Sequence, residues 1–282
     1  MNRLLITGAS GDLGAPLVRA AARAWEVTAL CLAHPERVPA GRVVQADLRD
    51  PDAAWRVIDE TRPAVVVHAA VSERSGDVRS IERAAESVAA AAARAGCRLI
   101  FISTDMIFDG LNPPYAEDAP PSPISAYGRA KASAEAIVRA RVRNCAIVRT
   151  SLIYDFTPAN RQLSWMLEKI ASDAPIPLFA DEIRQPIWAH NLAEALLELA
   201  TLPYVGALHI AGPERLSRWD YGRALLSAMG LLDRARVQRV LAAEVAPGRP
   251  PDLSLDLSRA RSLLKTRLLS IDEARAACQA TR

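Results

Sequence analysis

The chain has 282 residues, 50% hydrophobic and 24% charged, with 35 basic against 32 acidic side chains for a net charge of +3. That composition excludes a disordered or collagen-like chain, and no Lys/Arg run supplies the footprint of a nucleic-acid binder. The length holds one large domain, or one domain with a smaller partner.

The first apolar run, Leu4-Leu5-Ile6, stops at Thr7-Gly8 and is too short for a signal-peptide core or a membrane span. Further apolar runs over residues 27–32, 42–45, 64–68, 98–103 and 145–149 alternate with helix-spaced segments over 13–24, 52–61, 78–95 and 127–143. Near-continuous apolar runs predict strands buried on both faces, hence a doubly wound α/β domain with a parallel sheet over residues 1–150. After Thr150 the pattern predicts helices over 160–172, 192–201, 218–231, 257–264 and 271–279, with strands over 176–180 and 207–211. We read residues 186–213 as completing the first domain, and 151–185 with 214–282 as a smaller, interleaved substrate domain. Cys31, Cys97, Cys145 and Cys278 form no Cys-x-x-Cys pair, so reduced core thiols in a cytoplasmic protein are expected. His34, His68, His190 and His209 show no metal-ligand spacing, and no metal is expected. His68 and His209 read as packed strand residues.

The segment Gly8-Ala9-Ser10-Gly11-Asp12-Leu13-Gly14 follows the first strand and opens the first helix. Gly8 permits the tight turn, Gly11 lets backbone approach a pyrophosphate, and Gly14 lets helix pack on strand. Free N–H groups and the helix dipole then receive phosphate, so a dinucleotide cofactor is expected along this turn. Asp47-Leu48 after the third strand and Ala69-Ala70-Val71 after the fourth fit the same ligand. The alternative for Asp47 is a helix N-cap. An acid about 20 residues past the glycines would mark NAD. Here the second strand ends Cys31-Leu32-Ala33-His34, with no carboxylate before Glu36. His34 or Arg37 can meet a 2′-phosphate, so NADP is expected over NAD.

Tyr127 and Lys131 stand four apart, on one helix face. A phenol near pKa 10 is a poor acid–base at neutral pH, and a nearby ammonium favours its ionised form. Such a pair suits proton transfer to a carbonyl oxygen during hydride addition. Ser103-Thr104-Asp105 lies at the fifth strand's carboxyl end, the edge where open α/β sheets bind ligands, and a Thr hydroxyl there can bond the reacting carbonyl.

With these motifs the chain resembles the extended short-chain dehydrogenases/reductases, and among them the dTDP-4-dehydrorhamnose reductase family. The resemblance runs through the glycine turn, Ser103-Thr104-Asp105-Met106-Ile107-Phe108-Asp109-Gly110, Pro114-Tyr115-Ala116-Glu117 and Ser125-Ala126-Tyr127-Gly128-Arg129-Ala130-Lys131. It continues in Arg149-Thr150-Ser151, Arg249-Pro250-Pro251 and Ser254-Leu255-Asp256. It implies Thr104, Tyr127 and Lys131 as catalytic residues and NAD(P)H-dependent reduction of the 4-keto group of a nucleotide-linked deoxysugar. It also suggests a homodimer. Cofactor contacts are expected from Gly8, Ser10, Gly11, Asp12, Leu13, Gly14, His34, Arg37, Asp47, Leu48, Ala69, Ala70, Val71, Ser103, Tyr127 and Lys131.

The chain departs from the family where substrate contacts are expected. Met106 stands for the usual Tyr, Leu152 for Trp, and Asp181-Glu182-Ile183-Arg184-Gln185-Pro186-Ile187 for Asp-Gln-x-Gly-x-Pro-Thr. Substrate contacts are expected from Asp105, Met106, Arg184, Trp188 and Arg249. Arg184 offers a planar fork for a diphosphate or carboxylate, against an ion pair with Asp181 or Glu182. For Trp165, Trp188 and Trp219, core packing competes with pocket lining. Two other functions stay open: a nucleotide-sugar epimerase that keeps its NAD, and a non-catalytic NAD(P)-binding regulatory subunit.

Overall fold

The computed structural model describes residues 2–70 and 77–280. Its first half runs β1 (Arg3–Thr7), α1 (Gly14–Ala21), β2 (Glu26–Cys31), β3 (Arg42–Gln45), α2 (Pro51–Thr61), β4 (Val65–His68), α3 (Arg79–Ala95), β5 (Arg98–Thr104), α4 (Ala126–Arg141) and β6 (Cys145–Thr150). Then follow β7 (Ile153–Tyr154), α5 (Arg161–Ala171), β8 (Ile176–Phe179), β9 (Ile183–Arg184), β10 (Ile187–Trp188), α6 (Ala189–Thr201) and β11 (Gly206–His209). The chain closes with β12 (Leu216–Ser217), α7 (Arg218–Ala228), β13 (Val237–Val240), α8 (Ala242–Val245), α9 (Ser258–Leu263) and α10 (Ile271–Ala280).

Seven strands form one parallel sheet in the order β11-β6-β5-β4-β1-β2-β3. Strand side chains alternate between faces, and both faces are covered. Leu4, Ile6, Val65, Val67, Ile100, Ile102, Ala146 and Val148 pack with Leu17 of α1 and Leu192, Leu196 and Leu199 of α6. The residues between them, Leu5, Val66, Leu99, Phe101 and Ile147, pack with Val57 of α2, Val88 of α3 and Ala134 of α4. Strand β3 departs from the expectation of burial on both faces: Arg42, Val43 and Gln45 are exposed, because β3 is the sheet edge. A third core joins Tyr154, Phe156, Met166, Leu178, Trp188, Tyr221 and Leu225 from the later elements. Cys31, Cys97 and Cys145 are buried thiols and Cys278 is half-buried; all four are free.

Chain order reverses between β1 and β4, leaving a crevice at the carboxyl ends of these strands. The proline-rich loop after β5 is tied to the C-terminal segment: the Tyr115 amide donates to the Ser254 carbonyl (2.9 Å) and the Asp256 amide to the Tyr115 carbonyl (2.7 Å). No helix among the described residues is long and apolar enough to cross a membrane.

His68 ends β4 and His209 ends the edge strand β11, each as a buried imidazole. Burial, reinforced by the Lys131 charge at His68 and the Arg149 charge at His209, pushes each down from 6.5 to about 3. The unfolded chain therefore takes up these protons first as pH falls. Their contribution to stability is complete above pH 6.5 and is lost as pH drops from 6.5 toward 3. Between neutrality and about pH 5, before most carboxylates titrate, each histidine costs up to about 1.4 kcal/mol per pH unit. Denaturant titrations over that interval should show stability falling with pH. A flat profile would contradict neutral burial.

Candidate active site

The phosphate turn is built on close approach. Gly8 has φ +69°, and a Cβ there would lie 2.8 Å from the Ala70 backbone; a Cβ on Gly14 would lie 2.0 Å from the Gly8 carbonyl oxygen. Only glycine lets β1, α1 and the chain after β4 meet this closely. The Gly11 amide closes the turn on the Gly8 carbonyl at 3.0 Å. Leu13 is buried in the core and Asp12 is half-buried at the turn. Ser10 Oγ donates to the Ala33 carbonyl (2.9 Å) and Gln45 Nε2 to the Leu32 carbonyl (2.9 Å), so the segment after β2 is braced from both sides.

His34 follows in the left-handed region at φ 60°. Its Nδ1 lies 3.0 Å from Glu36 Oε1, so the first carboxylate after β2 is paired with His34. The Glu36 backbone amide, helped by the His34 ring, holds that carboxyl below the usual range. Arg37 is exposed beside it. Asp47 does not cap α2; Asp50 does, accepting from the Asp52 amide. Arg49 instead grips Asp47, Nη2 to Oδ2 at 2.6 Å, and this bonding holds the Asp47 carboxyl low. Leu48 is buried, Ala69 and Ala70 are half-buried, and Val71 lies outside the described residues.

The catalytic candidates converge at the carboxyl edge of β5. Thr104 ends the strand, and the chain then makes a single 3-10 turn over Asp105–Ile107. Helix α4 starts beside it, capped by Ser125, whose Oγ accepts from the Gly128 amide (3.0 Å). A Cβ at Gly128 would lie 2.1 Å from the Met106 carbonyl oxygen. The first turn of α4, carrying Tyr127, therefore lies directly on the Thr104 turn. One helical turn on, Lys131 is 2% exposed. Its Nζ donates to the Ile102 carbonyl at 2.5 Å and sits 4.3 Å from the Phe101 ring centroid. A surface Tyr/Lys pair is thereby excluded. His68 Nδ1 lies 2.8 Å from Thr7 Oγ1, and that hydroxyl accepts the Ala70 amide at 3.2 Å. A neutral His68 thus holds β1 to the end of β4.

Ser103 Oγ and Thr150 Oγ1, on adjacent strands at this same edge, are buried without a hydrogen-bond partner. Buried hydroxyls left unpaired at the carboxyl edge of the sheet that also carries the glycine turn fit a polar ligand laid along that edge. Among the described residues no cluster of His, Cys, Asp or Glu is placed to hold a metal ion.

The candidate substrate residues divide differently from the sequence reading. Met106 is half-buried at the turn. Asp105 is 3% exposed and both its oxygens are engaged internally, by Thr104 Oγ1 (3.2 Å) and Ser151 Oγ (2.5 Å). Trp188 is a core residue whose Nε1 donates to Asp155 Oδ1 at 2.9 Å. Arg184 is no free fork: at 2% exposure it pairs with Glu182 (3.0 Å), and its Nη1 donates to the Ile183 and Pro250 carbonyls at 2.7 and 3.2 Å. Glu182 lies just ahead of β9, two residues before Arg184, so the sequence offered this pairing beside an anion contact. The family's Thr position is filled by Ile187, which is core. Arg249 also bonds Glu182, but its side chain is 43% exposed, bordering a cavity of about 320 Å³ with Glu182, Ala242 and residues 246–251. Sequence reasoning gave no role to Ser151 or Gln185, whose backbone amide donates to Ser151 Oγ at 3.2 Å.

Removing one partner of a buried ion pair leaves an uncompensated charge. Glu182→Ala should therefore lower unfolding free energy by about 3–5 kcal/mol. Arg249→Ala, at a half-exposed guanidinium, should cost about 1 kcal/mol or less. Chemical denaturation measures both. Equal costs would refute the burial argument.

The profile of the family described as RmlD substrate binding domain matches residues 1–280 of the chain. A probable dTDP-4,6-dihydroxy-2-methyloxan-3-one 4-ketoreductase of Streptomyces antibioticus is 34% identical, over 77% of this chain and 74% of that protein. Methionine adenosyltransferase 2 subunit beta of Mus musculus is 27% identical, over 93% of this chain and 82% of that protein. Among solved structures, the dTDP-4-dehydrorhamnose reductase of Bacillus anthracis, in complex with NADP, superposes with a TM-score of 0.83 at 23% identity, covering 100% of both chains. The chain belongs to the RmlD substrate binding domain family.

Proposed function

We propose that the chain is an NAD(P)H-dependent reductase that converts the 4-keto group of a nucleotide-linked deoxysugar to an alcohol, with Tyr127 as proton donor. The observation that carries this reading is the seating of α4's first turn on the Thr104 turn, with Lys131 buried one turn behind. That arrangement sets the helix turn that carries Tyr127 against the turn that follows Thr104, at the carboxyl edge of the sheet. The relatives named for 4-keto reduction and for NADP binding support the substrate class and the cofactor.

The turn from Gly8 to Gly14, with Ala69 and Ala70 opposite, would hold a dinucleotide's phosphates on backbone amides at the start of α1. His34 and Arg37 would face a 2′-phosphate, and Ser103 and Lys131 the nicotinamide end. When bound, the cofactor supplies a hydride. The chain's own work is to move a proton and stabilise charge. The Tyr127 hydroxyl donates to the substrate oxygen, the Thr104 hydroxyl shares that oxygen, and the Lys131 charge favours the phenolate left behind. In this reading residues 1–150 and 186–213 form the cofactor domain and residues 151–185 and 214–282 the substrate domain. The protein works as a cytoplasmic homodimer.

The likeness to methionine adenosyltransferase 2 subunit beta over 93% of the chain favours a second reading, a dinucleotide-binding subunit without turnover of its own.

NADPH oxidation in the presence of a dTDP-4-keto-6-deoxysugar separates the two. The reductase reading expects turnover with net cofactor consumption and a lower KM for NADPH than for NADH. Tyr127→Phe should lose roughly 10²-fold or more in kcat while cofactor binding persists. Wild-type turnover in that variant would refute the role of Tyr127. Cofactor binding with no turnover on any nucleotide sugar ketone would favour the subunit reading.

A further inference from the structure

Tyr127, Lys131 and Glu135 follow one another at four-residue steps along one face of α4. Two buried polar contacts, one turn apart, tie that face to neighbouring strands of the sheet. Lys131 Nζ donates to the Ile102 carbonyl on β5 at 2.5 Å. One turn on, Arg149 of β6 grips the Glu135 carboxylate, Nε to Oε1 at 3.1 Å and Nη2 to Oε2 at 2.9 Å. Both partners are 2% exposed. The rest of the guanidinium reaches two further segments. Its Nη1 donates to the Glu117 carbonyl at 3.1 Å, in the loop that leads into α4, and lies 3.4 Å from His209 Nε2 on β11. A guanidinium only donates, so the neutral imidazole accepts there. Glu117 adds a second tie, its Oε1 accepting the His209 amide at 3.3 Å. Arg149 thus joins helix, loop and edge strand from a position opposite Ser103 in the sheet.

Stability does not account for a buried pair of this kind. Apolar residues of similar volume often hold a fold as well or better, because two charges have to leave water. The pair supplies direction instead: a two-pronged contact between guanidinium and carboxylate accepts one orientation, where apolar side chains can slide and repack. A single contact at Lys131 is a pivot. The second contact, at Glu135, removes the helix's freedom to rotate about it or slide along the sheet. Rotation and slide together set where Tyr127, two turns before Glu135, stands against the Thr104 turn. Arg139 also approaches Glu135, at 3.5 Å, but from the same helix, so it ties α4 to nothing else.

We propose that Arg149 and Glu135 are positioning residues for the proton donor: their buried fork fixes the rotation of α4 and thereby the placement of Tyr127 against the Thr104 turn. The kinetic consequence rests on the reductase reading; the placement of α4 does not.

The test replaces both partners in the full chain, Glu135→Met together with Arg149→Met, so that no unpaired charge stays buried. The double variant should melt at or above the parent's temperature. Its kcat should fall roughly tenfold or more while the Kd for NADPH stays within about threefold, because a small misplacement of a reacting group is costly in rate. Arg139→Ala, which breaks only the contact within the helix, should keep kcat within about twofold. A crystal structure of the double variant should show α4 turned or shifted at Tyr127. Parent-like kcat in the double variant would overturn the proposal, as would an equal loss in Arg139→Ala. Failure of the double variant to fold would also overturn it, since the pair would then serve stability. If the parent turns over no nucleotide sugar ketone, the reductase reading fails and the crystal structure alone decides: an unmoved α4 overturns the proposal.

Discussion

The absence of a side chain at position 128 sets the geometry on which the site depends. A Cβ there would meet the Met106 carbonyl oxygen at 2.1 Å, well inside contact distance. Helix α4 can therefore begin in direct contact with the turn that follows β5. The residues proposed to be catalytic then stand on adjoining segments: Thr104 at the strand end, Tyr127 in the first helical turn, Lys131 one turn deeper. A bulkier residue would lift the start of the helix away from the Thr104 turn while leaving Tyr127 and Thr104 in the sequence. The same device recurs at the phosphate turn, where Gly8 and Gly14 let β1, α1 and the segment after β4 meet. Close approach of backbones, not an array of charged side chains, shapes both halves of the site.

Charge enters sparingly and is buried. Lys131 sits between the Ile102 carbonyl and the Phe101 ring, and its field helps keep His68 neutral beneath the crevice. That neutrality matters, because a second cation at the end of β4 would alter the potential felt by anything bound along the edge. In the later half of the chain, Glu182, Arg184 and Arg249 form a largely self-satisfied group that ties β9 to the segment carrying Pro250. These arginines hold the wall together. Only Arg249 keeps part of its guanidinium at the neighbouring cavity.

The parallel sheet was legible in the sequence because its strands are buried on both faces and read as unbroken apolar runs. Strand β3 escaped correct assignment of burial because an edge strand can carry Val43 and Val44 without covering both faces. The two-residue strands and β13 have too few residues to show a period. Thr104, Tyr127 and Lys131 stand out in the sequence because short motifs place them at fixed spacing on a strand end and a helix face, and the structure seats those two segments together. For Arg184 the sequence left two readings open, an anion contact or an ion pair with Asp181 or Glu182, and the buried contact with Glu182 favours the second. Ser151 and Gln185 gave no signal, since their roles come from pairing across strands distant in the chain. Asp105 was noticed for its acidity, but its inward direction is set by Ser151, 46 residues away.

The most direct measurement is a crystal structure of the protein with NADP bound. The account predicts the pyrophosphate on the amides between Gly8 and Gly14, and the nicotinamide ring against Ser103 with its reactive carbon facing the space between the Tyr127 and Thr104 hydroxyls. A dinucleotide lying elsewhere, or a Tyr127 hydroxyl turned away from the nicotinamide, would contradict it.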